Sequence, residues 1–425
     1  MAAGTAQRTL LAGTAPLVSV ALLLALGTVL GQQHDDVVLE NVNGTLAINS
    51  TDPMTKPVLV NGFDVIGLLQ QQEAMLSTQL EINARQSLQI SALEATVCKL
   101  NRPSLSKIDV AREDLDSWFG GVLAPNGLIY GIPFSATTVI IINPSNSTAD
   151  TTTISGLPEE TEKWAGGVLA PGSSGHDVIY GIPHHADTVL KIDPATNTAN
   201  WTGFSGVGAA DYKFRSAILH PNGLIYCVPF SASFVLIIDP ATDTIDTTTL
   251  AGLGTDPWKW WGGHLMPDGR IFCAPSLADS ILIIDPATSA MDTTSIQGLS
   301  AGAVHWTGIL MAGNGLIYTI PFQHDAVLII DPTDLSVDKT TIASLDGIYK
   351  WAGGVLADNG KIVAIPYSEP VVMLIDPIRN VVDTTSLTDA GPGGAGFAEG
   401  VLADNGLVYA IPYYADHVLV INPGC

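Results

Sequence analysis

The chain has 425 residues, 47% hydrophobic and only 14% charged, so it is too apolar to be a disordered polymer despite its acidity. Its formal net charge of -24 repels phosphate backbones and argues against nucleic acid as a partner. The same acidity attracts cations and basic partners, or simply keeps a secreted protein in solution.

Residues 1–31 read as a targeting segment. Arg8 precedes an apolar stretch, Leu10–Leu30, and Val29-Leu30-Gly31 offers a cleavage position before Gln32. The segment is either a cleaved signal peptide or an uncleaved membrane anchor, since its length approaches the roughly 17–25 residues that span a bilayer. Pro16 and the glycines favour cleavage. Both readings route the protein to the cell surface or the exterior. Four glycosylation sequons, at Asn43, Asn49, Asn146 and Asn200, agree with that route.

Residues 32–60 are polar, carry two of the sequons and read as a linker. In 61–101, Leu69, Leu76, Ile90 and Val97 recur at heptad spacing, with Asn83 in the gap. Gln72, Gln79 and Gln86 weaken the seam. The expectation is a helix, acting either as an oligomerising coiled-coil stalk or as a single helix packed on the next domain.

From 102 to 425 the chain repeats itself. Trp118 begins WFGGVLAPNGLIYGIPFSATTVIIINP, and related copies start at Trp164, Phe214, Trp260, His305, Trp351 and Phe397. Each copy parses into four strands. Strand a, GGVLAP, leads through an Asn-Gly or Asp-Gly hairpin to strand b, LIYGIP. A polar or aromatic loop then precedes strand c, VLIID. An Asp-Pro-Ala-Thr turn follows, and a threonine-rich strand d such as Asp150–Ile154 ends the copy. No segment here has a helical period, which excludes a helical solenoid. A lone four-stranded sheet cannot bury both faces, whereas seven packed radially can. The fold class is therefore all-β, a seven-bladed β-propeller. The last copy lacks strand d, and Leu105–Val110, which precedes the first copy, is expected to supply it and so close the ring.

The IYGIP and TVLKIDPATNTA stretches resemble the YVTN family of β-propeller repeats over about three quarters of the chain. The Trp-x-Gly-Gly start and the proline ending strand b in every copy depart from that family's pattern. The resemblance implies the fold and leaves function open.

Cys98 lies seven residues before Leu105, and Cys425 follows the last strand c, so a Cys98–Cys425 disulfide would guard the closure; a bridge between two stalks through Cys98 is the alternative. Cys227 and Cys273 share one repeat position in adjacent blades. Packed sheets lie about 10 Å apart, too far for a disulfide's reach of about 7 Å. Both cysteines read as small core residues, with a reactive or metal-binding pair as the alternative.

The b–c loops vary while the strands stay uniform, which makes the face that carries them the candidate ligand surface. His184, His185, His324, His417, Tyr413 and Tyr414 lie in these loops. On the d–a side, Lys163, Lys213, Lys259 and Lys350 each precede the aromatic that opens strand a. Trp164, Phe214, Trp260, Trp261, Trp306 and Trp351 stand beside them. Aromatic platforms with amine and carboxylate donors suit sugars or anionic groups; the competing reading is tryptophan packed between blades with lysine snorkelling over it. No cofactor is expected. A divalent metal would need His184, His185, Asp187, His324, Asp325, Asp416 and His417, from blades two, five and seven, to converge. There is no phosphate-binding glycine loop and no nucleophile elbow. The leading expectation is a secreted or cell-surface protein that holds a glycan or protein ligand on its loop face. The rivals are a metal-assisted lyase or lactonase and a structural surface-layer or matrix component.

Overall fold

Seven sheets of four antiparallel strands follow one another along the chain. The computed structural model describes residues 37–42, 45–50, 59–60, 63–110, 116–299, 304–391 and 396–424. Blade 1 runs from strand a, Trp118–Leu123, to strand d, Thr148–Ile154. Strands a of blades 2 to 7 are Trp164–Pro171, Phe214–Leu219, Trp260–Leu265, Trp306–Met311, Trp351–Leu356 and Phe397–Leu402. The fifth blade therefore opens at Trp306, one residue later than the repeat starting at His305 suggests. His305 takes the place that lysine holds in other blades.

Blade 7 is completed as expected. Its strand c, His417–Asn422, pairs with Ser104–Asp109 in unbroken register from His417↔Asp109 to Asn422↔Ser104. Val110 N–H donates to Asp416 O at 2.9 Å, and Asn422 Nδ2 donates to Asn101 Oδ1 at 2.7 Å. Cys425 and the side chain of Cys98 lie outside the described residues. Cys227 and Cys273 are buried, free thiols, pushed well above the ordinary range by desolvation.

Strand d differs from the sequence reading. In blades 3, 4 and 6 it is only three residues long, for example Thr244–Asp246, and the threonines after it turn away. Asp246 Oδ1 accepts the backbone N–H groups of Thr248 and Thr249 at 2.7 and 3.0 Å. Asp292, Asp338 and Asp383 do the same in their blades. In blades 3 to 6 the aspartate–threonine signature is thus a side-chain-capped turn, a role short polar side chains take in competition with ladder bonding, whereas in blade 1 the signature stays within strand d.

The core lies between blades. Five strand-a tryptophans (Trp118, Trp164, Trp260, Trp306 and Trp351) are buried there, each donating its indole N–H to a b–c loop carbonyl at 2.8–2.9 Å. On the opposite face, Tyr130 OH donates to Asn197 Oδ1 of the next blade at 2.7 Å. Tyr318 makes the equivalent bond to Asn380. Strand a carries a bulge whose glycines, such as Gly120 and Gly353, adopt φ of +75° and +78°.

The chain divides into two units, Met1–Val97 and Cys98–Cys425. In the first, Val37–Val42 pairs antiparallel with Thr45–Ser50, so part of the expected linker is a hairpin. The sequence between the strands, Asn43-Gly44, is a hairpin signal that the polar composition concealed. The expected helix, α1, spans Val65–Leu100. Leu76, Leu80, Leu88 and Ile90 along it are exposed. No described helix is long and apolar enough to cross a membrane. The targeting segment 1–31 and Asn43 lie outside the described residues.

Candidate functional site on the loop face

The residue that follows the strand-b proline points to the axis in each blade. These residues are Phe134, His184, Phe230, Ser276, Phe322, Tyr367 and Tyr413. Six of the seven are rings, and they form a closed collar. Successive centroids from Tyr413 through Phe134, His184 and Phe230 lie 5.4–5.9 Å apart. Trp261 of strand a bridges the gap left by Ser276, 5.6 Å from both Phe230 and Phe322. Tyr367 completes the ring to Tyr413 at 6.0 Å. The channel mouth is therefore sealed by the protein's own side chains.

Two charged residues sit at this seal. Arg215 occupies a strand-a position held by Ala165 or Ala352 elsewhere. Its guanidinium lies 3.8 Å from the Trp261 ring centroid, 4.3 Å from Phe119 and 5.1 Å from Phe230, an aromatic cage for a cation. Glu399 occupies the bulge-glycine position of blade 7, with φ of +62°. It fits because its neighbours are bare: a Cβ on Gly120 would lie 2.5 Å from Glu399 Oε2, and one on Gly353 would lie 3.1 Å from its Cγ. Desolvation pushes the Glu399 carboxyl up to about 7, with Arg215 pulling the other way.

Outside the collar, a second ring is set by backbone geometry. The residue before each lysine position includes Asp116, Glu162, Tyr212, Trp258 and Tyr349, all with φ between 55° and 63°. That left-handed conformation is uncommon without glycine and costs on the order of 1–3 kcal/mol per residue. It is held because the carbonyl of each residue accepts a bond from a b–c loop N–H. Examples are Ser135 to Asp116 at 3.1 Å, His185 to Glu162 at 2.9 Å and Leu277 to Trp258 at 2.8 Å. Of their side chains, those of Trp258 and Tyr349 face outward, while Asp116, Glu162 and Tyr212 are half-buried. Trp258 and Tyr349 are 40% and 44% exposed. Trp258 stacks on Phe230 at 6.0 Å, and Tyr212 meets both Trp258 and His185 edge-on. His185, Tyr212 and Trp258 thus form a continuous aromatic platform across blades 2 to 4.

Beside the platform is a cleft of about 810 Å³ in blade 2, bordered by Glu160, Lys163, Trp164, His185, Asp187 and Trp201. A smaller cleft of about 560 Å³ lies at the equivalent place in blade 4, bordered by Asp256, Lys259, Trp260 and Asp279. Lys163, Trp164, Lys259 and Trp260 contribute to these walls. The ammonium groups themselves turn inward to backbone carbonyls: Lys163 to Glu160 O at 2.7 Å, Lys213 to His185 O at 3.0 Å, Lys259 to Asp256 O at 2.9 Å, and Lys350 to His324 O and Gly347 O at 2.9 and 3.0 Å. Each lysine ties a b–c loop or d–a loop in place, and burial brings Lys213 and Lys259 down to about 8. Lys163, Lys259 and Lys350 each also lie 5.9 Å over the following tryptophan, Trp164, Trp260 and Trp351.

The histidines do not converge across blades. His324 stacks on Trp306 at 4.4 Å beside Asp325, and His417 pairs with Asp416 at 2.8 Å against Phe397. Tyr413 is in the collar with Tyr414 edge-on at 4.8 Å. Among the described residues, one cluster has metal-ligand spacing: Glu162, His184 and His185. Asp187 stands apart from it, exposed on the same loop.

Sequence reasoning missed Arg215 and Glu399, and also Tyr212, Trp258 and Tyr349. The first two are breaks from a small-residue consensus in strand a, and that break was the available signal. The last three each sit one residue before a noted lysine.

No protein-family model matches the sequence, and no curated protein does. Among solved structures, the chain is similar to a virginiamycin B lyase from Staphylococcus aureus, with a TM-score of 0.57, 10% identity, and coverage of 75% of this chain and 98% of that one. A streptogramin B lyase gives 0.57 at 13% identity, covering 75% and 96%. The extracellular domain of a one component system from B. thetaiotaomicron gives 0.54 at 12% identity, covering 73% and 41%. At such identities the likeness speaks for the fold alone: this chain is a seven-bladed β-propeller.

Proposed function

We propose that this is a secreted or cell-surface binding protein that holds a glycan on the blade 2–4 sector of its loop face. The observation that carries the reading is the platform of His185, Tyr212 and Trp258, with Tyr212 and Trp258 on left-handed backbone and His185 bordering an open cleft. Exposed, edge-supported rings stack against the apolar faces of sugars. Glu162, Asp187 and Glu160 supply carboxylates to accept hydroxyl hydrogen bonds at the rim. The cleft volume falls within the usual range for small-ligand sites, roughly 300–1,000 Å³. Exposed Asn146 and Asn200 in sequons, together with the N-terminal apolar segment, support the secretory route.

The test is a glycan array on the purified protein, followed by calorimetry on the hit. Trp258→Ala and Tyr212→Ala should each weaken binding about ten-fold or more, the loss of one stacking anchor. Tyr349→Ala, on the far sector, should leave affinity unchanged. Binding that survives both platform substitutions would refute the assignment. Absence of any glycan ligand, with self-association of the chain instead, would favour a structural matrix role.

A further inference from the structure

We infer that Glu162, His184 and His185 form a binding site for a transition-metal dication of the zinc class at the rim of the collar. The three side chains offer one carboxylate and two imidazole donors, all within 4.8 Å of one another. Glu162 Oε2 lies 3.3 Å from His185 Nε2 and 3.9 Å from His184 Nε2. Donors bound to one tetrahedral ion at about 2.0–2.2 Å stand a little over 3 Å apart, so the cluster needs only slight contraction.

The orientation of the rings supports this assignment. His184 Nδ1 lies 2.8 Å from Phe214 O, and a carbonyl can only accept, so Nδ1 carries the hydrogen. That leaves the Nε2 lone pair of the neutral ring turned toward Glu162. A backbone carbonyl fixing the far nitrogen is the usual outer support of a metal-binding histidine. Nε2 of both His184 and His185 is buried and makes no hydrogen bond. The His184 and His185 rings are parallel within 4° at 5.2 Å, and Tyr212 packs edge-on to both. Neither ring can swing away without breaking that packing. The cations nearest His184 are Arg215 and Lys213. The Arg215 charge is spread over its aromatic cage, Lys213 is bound to carbonyls, and Glu162 supplies the compensating anion. Imidazole with carboxylate selects zinc, cobalt or nickel over calcium or magnesium. Three protein donors leave a fourth position for water or a ligand oxygen.

The inference goes beyond the glycan reading and does not depend on it, because the probe is metal alone. Purified full-length protein, stripped with chelator, is titrated with Co²⁺ while the visible spectrum is followed, and Zn²⁺ is then added in competition. One Co²⁺ per chain should bind with the strong visible absorption of a low-coordinate nitrogen–oxygen site, and Zn²⁺ should displace it. His185→Asn and Glu162→Gln, both on partly exposed side chains, should each weaken binding by more than about a hundred-fold, beyond the cost of losing an outer partner. His176→Asn, at the separate exposed His176–Asp193 pair, should change nothing. Thermal melts confirm that each variant is folded. Failure to bind one Co²⁺ per chain, or binding that persists in folded His185→Asn and Glu162→Gln proteins, would overturn the assignment.

Discussion

Glu399 offers a quantitative test of how the channel is built. Its carboxyl sits at a bulge position kept bare by glycine in blades 1, 2 and 6, and desolvation pushes it up to about 7. An acid whose folded-state value is raised contributes most below its unfolded value, near 4.3, and loses that contribution as pH rises through about 7. At pH 8.5 the folded protein therefore holds an ionised carboxylate where a neutral group is preferred. The gap between the ordinary value and about 7 corresponds to a cost of at most about 3 kcal/mol, since the residue is only half-buried. Glu399→Gln keeps the shape and never ionises. It should match the parent near pH 4.5 and become more stable by up to about 3 kcal/mol at pH 8.5. For a propeller of this size that is a rise in Tm of roughly 4–5 °C. Differential scanning calorimetry across pH 4.5–9 measures the difference directly. A pH-independent difference would refute the reasoning. So would a variant less stable than the parent at pH 8.5, because that would mean the carboxylate is ionised in an attractive pair with Arg215.

Other expectations follow from the same contacts. Lys350→Met should destabilise the propeller by about 2 kcal/mol, since Phe322, His324 and Gly347 carbonyls lose their shared donor; an unchanged denaturation midpoint would show that the lysine holds nothing. Leu105→Asp, in the strand that completes blade 7, should lower the melting temperature well beyond Leu68→Asp on exposed α1. Peptide mapping without reductant should recover Cys98 joined to Cys425 within one chain; a dimer joined through Cys98 would support the alternative pairing. If α1 is an oligomerising stalk, Leu76→Asp with Ile90→Asp should convert the species seen by analytical ultracentrifugation to monomer, and a parent that is already monomeric would dispose of the stalk.

The propeller was legible because its repeat is strong: the strand-b prolines, the hairpin glycines and the unpaired last copy specify the sheets and the closing strand. Strand d holds its threonines in blade 1, at Asp150–Ile154, but in blades 3 to 6 they leave the strand, because threonine suits both an outer strand and a capped turn and the aspartate side-chain bonds at Asp246, Asp292, Asp338 and Asp383 favour the turn. The site was legible in part. The loop face and His184 and His185 stood out in the varying loops. Glu162 did not, because its partnership arises from a left-handed residue one loop away. The lysines read either as ligand donors or as cations lying over interblade tryptophans; three of them do lie over Trp164, Trp260 and Trp351, and the carbonyls that their ammonium groups reach are what no spacing rule reveals. Arg215 and Glu399 replace small residues at the axis, and a repeat-based reading averages such exceptions away.

The ring of left-handed residues outside the collar has a broader consequence. At these five described positions the backbone carbonyl does the holding. Aspartate, glutamate, tyrosine and tryptophan occupy equivalent slots at Asp116, Glu162, Tyr212, Tyr349 and Trp258 without altering the frame. Recognition and architecture are thereby uncoupled at these positions. A descendant of this protein could change what it binds one slot at a time, with each blade an independently interchangeable letter on a fixed circular template.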